Sequence, residues 1–225
     1  MTTPTGFATL LDSAAPRAMH LVQRSGLSAW RDAQSAPVQA WLDAQQYDAS
    51  AGSVMTLPDT EGGLAGAVIG IGDPLDPLSY AHAPLALPAG DWKAASAVDA
   101  DARNALQLGW GLGSYRFTRY KAAARAPARL VGEFEDAVFD VLAACVRVRD
   151  LVNTPTEHMG PDELEAVARD IANAHGGSIH VTTGDDLLTQ NYPAIHAVGR
   201  ASHRAPRLIE MTWGDAAHPH IAIVG

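Results

Sequence analysis

Nine histidines, one cysteine and 25 acidic side chains are the groups of this 225-residue chain able to bind a metal, move a proton or attack a carbonyl. His218 and His220 are the closest histidine pair. As alternate residues entering an apolar run they would face one side, with Asp215 the only third donor nearby. A zinc site takes four ligands, or three and a water, and three donors on one loop do not build one. They read as ordinary loop histidines. His175, before Gly176-Gly177, reads as a favourable cation at a helix C-terminus. His158 and His196 read as capping or packing residues. The carboxylate pairs Asp162-Glu163 and Asp185-Asp186 each open a helical segment, where capping accounts for them. Cys145 falls on the apolar face of a helix and reads as a buried structural thiol. Ser114, Ser178 and Ser202 lack the pattern of a nucleophile elbow. The run Gly109-Trp110-Gly111-Leu112-Gly113-Ser114 has the look of a phosphate-binding loop, yet it sits inside a helical stretch with no strand before it. Close helix packing is the expectation there. Residue types and spacing therefore locate no catalytic and no metal-binding residue.

The elements that would position such groups are clearer. Met19–Val22 and Val54–Leu57 are apolar runs of strand length, and Leu64–Ile71 reads as a buried strand closed by Gly72-Asp73-Pro74. Ser35 and Pro37 open a short helix carrying Val38, Trp41 and Leu42. Asp91 is placed as the cap of the next helix, which carries Val98, Ala102, Ala105, Leu106, Gly109 and Gly113. The two glycines share a face, so another element is expected to approach there. Phe134, Ala137, Val138, Val141, Leu142, Cys145 and Val152 form the stripe of a long helix ended by Asn153-Thr154-Pro155. Gly160-Pro161 opens another, with Leu164, Val167, Ala168 and Ile171 on one face and Gly176-Gly177 as its stop. Ser178–Thr182, Arg207–Thr212 and Ile221–Val224 read as strands. This alternation predicts a largely parallel, buried sheet in the second half.

Apolar residues make up 47% and charged residues 18%, enough to build a core. The net charge of −9 argues against a nucleic-acid-binding surface. A single cysteine excludes an internal disulfide framework and a cysteine-based zinc site. No apolar run reaches the ~20 residues that cross a bilayer. The first residues show no secretory signal, and a soluble, cytoplasmic protein is expected. Charge is uneven: residues 1–127 hold 9 basic and 11 acidic groups, residues 128–225 hold 7 and 14. The change follows the small, polar stretch 121–127. It suggests an N-terminal α/β domain over 1–127, and a linking helix with the beginning of a second domain over 128–225.

Several segments carry a family resemblance. Arg149-Asp150-Leu151-Val152-Asn153-Thr154-Pro155 resembles the Arg-Asp-Leu-(Ile/Val)-Asn-x-Pro segment of the leucyl (cytosol) aminopeptidases. Met159-Gly160-Pro161 with Leu164, Tyr192–Ser202 and Pro206–Ile209 are similar to the stretches that follow it in that family. Leu108-Gly109-Trp110 through Tyr115-Arg116-Phe117 to Tyr120-Lys121 is similar to the end of its N-terminal domain. The resemblance implies an α/β chain: a smaller, mixed, macro-like N-terminal domain, then the start of an α/β catalytic domain with a mostly parallel sheet. It implies a metallo-aminopeptidase that takes N-terminal residues from peptides with water activated by two divalent ions, manganese or zinc. It also implies a homohexamer in the complete enzyme, while charge and the lack of a long apolar run leave neither nucleic acid nor membrane as an expected partner. In that family Val224-Gly225 would be followed by Lys-Gly-x-x-Phe-Asp-x-Gly-Gly, whose lysine and aspartate bind metal. No catalytic or metal residue is therefore carried onto this sequence, its substrate-binding residues are unknown, and no metal is expected on this span alone. The alternative is a stand-alone, non-catalytic binding or assembly module built on the macro-like domain.

Overall fold

The computed structural model describes residues 5–225, which part into two compact units between Asp150 and Leu151. The first unit holds β1 (Phe7–Ala8), β2 (Arg17–Gln23), α1 (Leu27–Asp32), α2 (Ala36–Ala44), β3 (Val54–Pro58) and β4 (Leu64–Ile71). α3 (Ala83–Ala86), β5 (Asp91–Ala94), α4 (Ala100–Ser114) and β6 (Arg129–Val131) follow, and α5 (Asp136–Asn153) begins there. Six strands form one sheet in the order β1-β6-β5-β2-β4-β3. All neighbours run parallel except the edge pair β3–β4. β6 follows the 127/128 division expected from charge, and it pairs with β1 and β5 of this unit.

β4 is apolar nearly throughout because both of its faces are covered. Ala67, Ile69 and Ile71 belong to a core shared with Met19, Tyr80, Trp92, Leu106, Trp110, Leu130 and Leu142. Val68 belongs to a second core with Val22, Leu42, Ala49 and Leu57. Alternation of side chains along the strand sends them to the two sides.

α4 is where the expected close packing occurs. A β-carbon at Gly109 would fall inside the carbonyl oxygen of Pro77, and one at Gly113 inside that of Ala81. The glycines admit the backbone of residues 77–81 against the helix. The cap is Asp99, whose carboxylate accepts the Ala102 N–H at 2.9 Å. Asp91 is not the cap. It opens β5, and its carboxylate holds the Arg129 guanidinium at 2.7 Å across the β5–β6 pair. A residue paired in a ladder is not free to cap a helix nine positions later.

In α5 only Val138 and Leu142 of the expected stripe are buried within the helix. Phe134 packs just before it, Cys145 is half-buried, and Ala137, Val141 and Val152 are exposed. A helix contacted along a narrow line buries fewer positions than its apolar stripe offers.

The second unit holds the end of α5, α6 (Pro161–His175), β7 (Ser178–Thr183), α7 (Asp186–Thr189), α8 (Pro193–Gly199) and β8 (Arg207–Thr212). β7 and β8 form an antiparallel pair rather than parallel neighbours. The connection folds back on itself, with the Tyr192 N–H donating to Leu187 O, and re-enters beside the end of β7. There the Gly184 N–H donates to Pro206 O at 2.8 Å. Ile221–Val224 forms no strand; Ile221, Ile223 and Val224 are 89%, 93% and 94% exposed, with no strand beside them among the described residues.

Alanine at Gly109 or Gly113 gains about 1 kcal/mol of helix propensity but collides with backbone that cannot yield cheaply, a cost of about 1–3 kcal/mol or more. Gly109→Ala and Gly113→Ala should each lower the thermal midpoint of the chain. Gly111→Ala, which meets only the flexible end of Leu142, should lower it less. Scanning calorimetry on the three variants checks the order.

Candidate functional site

The segments singled out by resemblance lie at two places, one in each unit. In the first, Arg149 donates through Nη1 to the Leu112 carbonyl at 2.7 Å, and its guanidinium lies 5.3 Å from the centre of the Tyr115 ring. Asp150 accepts the Tyr115 hydroxyl at 2.7 Å. The last carbonyls of a helix lack intrahelical partners, and an arginine is suited to satisfy one. The Arg-Asp pair thus fastens the end of α4 to the end of α5.

In the second unit, α6 starts at Gly160, whose N–H is accepted by the Glu163 carboxylate at 2.8 Å. Glu163 also takes the Arg204 guanidinium at 2.6 Å, and Arg204 donates onward to the Glu157 carbonyl at 2.8 Å. A β-carbon at Gly160 would overlap the Arg204 side chain, so glycine there leaves room for the guanidinium and does not serve a special backbone angle. Two residues on, Glu165 is held by Arg169 of its own helix and by Arg207 of β8. Gly199 has the same steric character: a β-carbon would overlap Pro206. His196 stands 3.1 Å from Asp185, joining α8 to the start of α7.

The electrostatics follow the geometry. The Gly160 N–H, and after it Arg204, hold the Glu163 carboxyl below its ordinary range. Hydrogen bonds from Arg169 and then Arg207 do the same for Glu165. These carboxylates are engaged by arginines and backbone, so they act as struts.

The other expected residues stay apart. His218 and His220 lie in the exposed segment after β8, where His220 Nε2 is 3.2 Å from the Ala216 carbonyl and Asp215 accepts the Ala217 N–H. His175 offers its carbonyl to the Trp213 indole N–H at 2.8 Å. Ser114 donates to the Trp110 carbonyl, and Ser202 accepts the Arg204 N–H. Among the described residues, no three histidine, cysteine, aspartate or glutamate side chains converge as a metal would require. Arg204 was not among the residues marked from sequence. Its partner Glu163 is 41 positions away, and no local pattern connects them.

Comparison with known proteins follows the same two parts. Residues 17–132 match the M17 aminopeptidase N-terminal domain, and residues 146–225 match the catalytic domain of the cytosol aminopeptidase family. A probable cytosol aminopeptidase of Corynebacterium diphtheriae is 30% identical over 195 residues, covering 77% of this chain and 39% of that protein. Peptidase B of Cronobacter sakazakii is 43% identical over 81 residues, 33% of this chain and 19% of its own. The crystal structure of the cytosol aminopeptidase from Coxiella burnetii superposes with a TM-score of 0.85 at 29% identity, covering 96% of this chain and 48% of that one. The chain thus spans half or less of the length of these relatives. Among the described residues, no helix is long and apolar enough to cross a membrane.

Because the folded carboxyls of Glu163 and Glu165 lie below the ordinary value of 4.5, the stability they add is fully present above that value and lost as pH falls through the lowered one. Hydrogen-exchange protection of the β7–β8 amides should therefore fall in that acid range. In Glu165→Gln the fall should be smaller and protection at neutral pH already reduced. Unchanged acid dependence in the variant would count against this role of the pair.

Proposed function

The chain belongs to the M17, or cytosol aminopeptidase, family, and from that premise we propose that the protein hydrolyses the first peptide bond of peptides, releasing their N-terminal residues. The observation that carries this reading is the pair of family matches, N-terminal and catalytic, in order along one chain with the fold of a cytosol aminopeptidase. The substrate is a peptide with a free α-amine, and the proposed setting is the cytoplasm.

The family resemblance brings with it two divalent ions, and the bottromycin maturation enzyme BotP, a fold neighbour at 22% identity, is described in complex with Mn. The residues of this chain do not fit such a group. Glu163, Glu165 and Asp185, near the motif segments, are taken by Arg204, by Arg169 and Arg207, and by His196, and no three donors converge among the described residues. No step of the reaction is assigned to residues of this chain. What they supply is framework: Arg149 and Asp150 hold α5 to α4, and the Arg204 and Arg207 networks tie α6 to β8.

The coding sequence beyond Gly225 tests the reading directly. A Lys-Gly-x-x-Phe-Asp continuation supports the peptidase, and the product of that gene should release nitroaniline from leucine p-nitroanilide with added manganese or zinc. A stop codon after Gly225 removes the peptidase reading and leaves a non-catalytic binding or assembly module. Residues 1–225 purified alone should give no chelator-sensitive release above a matched blank. We further propose assembly as a homohexamer. Light scattering coupled to size exclusion on the product of that gene should give six copies, and a stable monomer would refute it.

A further inference from the structure

The first unit carries a groove of about 360 Å³ at the carboxyl ends of β2 and β4. β2 is the strand at which the order of the sheet reverses: the chain leaves it for β3 and β4 on one side and then crosses to β5 on the other. In open α/β sheets, ligands collect beyond the carboxyl ends of strands near such a reversal.

The groove has one charged lining residue, Arg24, and no lining carboxylate. Arg24 donates through Nε to the Asp48 carbonyl, and through Nη2 to the Asp48 carboxylate and, at 2.7 Å, to Ser50 Oγ. Asp48 does not line the groove. Nη1 makes no hydrogen bond to the described residues, which leaves two of the five guanidinium donors for a ligand. The Arg24–Asp48 pair is well exposed, and exposed pairs are held weakly enough for a better acceptor to share the guanidinium. Ser25 lies in the same wall, Ser50 Oγ is held between Arg24 and the Asp48 carboxylate, and Ala49, Ala51 and Ile71 supply apolar surface.

The walls are fixed before any ligand arrives. Ala49, fully buried, sits in the left-handed region at φ 51°, a conformation that costs an alanine energy and persists only where its surroundings enforce it. Its loop is pinned to β4 by the Gly52 N–H to Gly70 O bond and by the Gly70 N–H to Ser53 O bond. Across the groove, the Gln23 amide donates to the Gly72 carbonyl at 3.0 Å.

We propose that this groove binds a small organic anion, a carboxylate or a phosphate monoester on a compact body, with Arg24 taking the anionic head. The groove lies within the first unit, so the proposal stands or falls apart from the peptidase reading.

Calorimetric titration of the full chain tests it with adenosine 5′-monophosphate and N-acetyl-leucine as the two anion heads. Adenosine and N-acetyl-leucinamide are their uncharged counterparts. At least one anion should bind saturably, and its counterpart about tenfold more weakly or worse, as loss of a charge-assisted hydrogen bond entails. Which head binds identifies the ligand class. Arg24→Gln should weaken that binding by a similar factor. Because Arg24 also tethers the Asp48–Ser50 loop, Ala51→Trp is the second variant; it fills the groove, keeps Arg24, and should abolish binding with the circular dichroism unchanged. Failure of both anions to bind, equal binding of an uncharged counterpart, or binding undisturbed in Ala51→Trp overturns the proposal.

Discussion

The first unit depends on how closely α4 can be approached. Gly109 and Gly113 let the backbone of residues 77–81 lie against the helix, and Tyr80 is buried in the resulting core with Trp110 and Trp92. From the same helix, the Trp110 indole donates to the Ala128 carbonyl at 3.0 Å, at the threshold of β6. The Gln107 amide donates to the Glu133 carbonyl at 2.9 Å, setting the entry to α5, and Arg103 pairs with Glu135 one step further on. Leu112 receives Arg149. One helix thus fixes the last strand of the sheet and both ends of the segment that follows it. A displacement of α4 by even a methyl's width would misplace all of these partners, since close-packed interiors transmit strain.

The second unit is held in a different way. Its buried residues are few: Thr154, Gly160, Ala172, Thr182 and Leu187, of which only Leu187 is a large apolar side chain. Such a core contributes little hydrophobic free energy, at roughly 25 cal/mol per Å² of apolar surface removed from water. The register of α6 against β8 is instead specified by charge-assisted hydrogen bonds from Arg204 and Arg207 to Glu163 and Glu165. Such bonds are directional, and breaking one leaves a charge to be solvated, so they select one arrangement even where they add modest net stability.

Residue pattern made the local elements legible because local physics decides them. β4 was bounded by its apolar run and the Gly72-Asp73-Pro74 turn, α6 by Gly160-Pro161 and the left-handed Gly176. The Gly109 and Gly113 spacing pointed to a close approach, though not to Pro77 and Ala81 as its source. What was not legible depended on distant partners. Asp91 has the composition of a helix cap, yet Arg129, 38 positions away, draws it into the sheet. The antiparallel sense of β7 and β8 depends on the Gly184–Pro206 closure, and the exposure of Ile221–Val224 on the lack of a pairing strand among the described residues. The groove at β2 and β4 has no sequence signature, because Arg24 and Ser50 meet only once the parallel sheet has formed.

The segments that carry the family resemblance do not do so by being reactive. Arg149 closes a helix terminus, Asp150 receives a tyrosine hydroxyl, and Gly160 and Gly199 are small because Arg204 and Pro206 occupy the space beside them. Each of these constraints is steric or involves one directional hydrogen bond, and such constraints tolerate few residue types. An arginine bonded to a carbonyl is poorly replaced by a lysine without the planar fork, and a side chain at position 160 would have to displace the Arg204 guanidinium from Glu163. A motif can therefore be specific to a fold without touching its chemistry. This is why the chain declares its family plainly while Glu163, Glu165, Ser114 and His196 are each engaged in a structural contact.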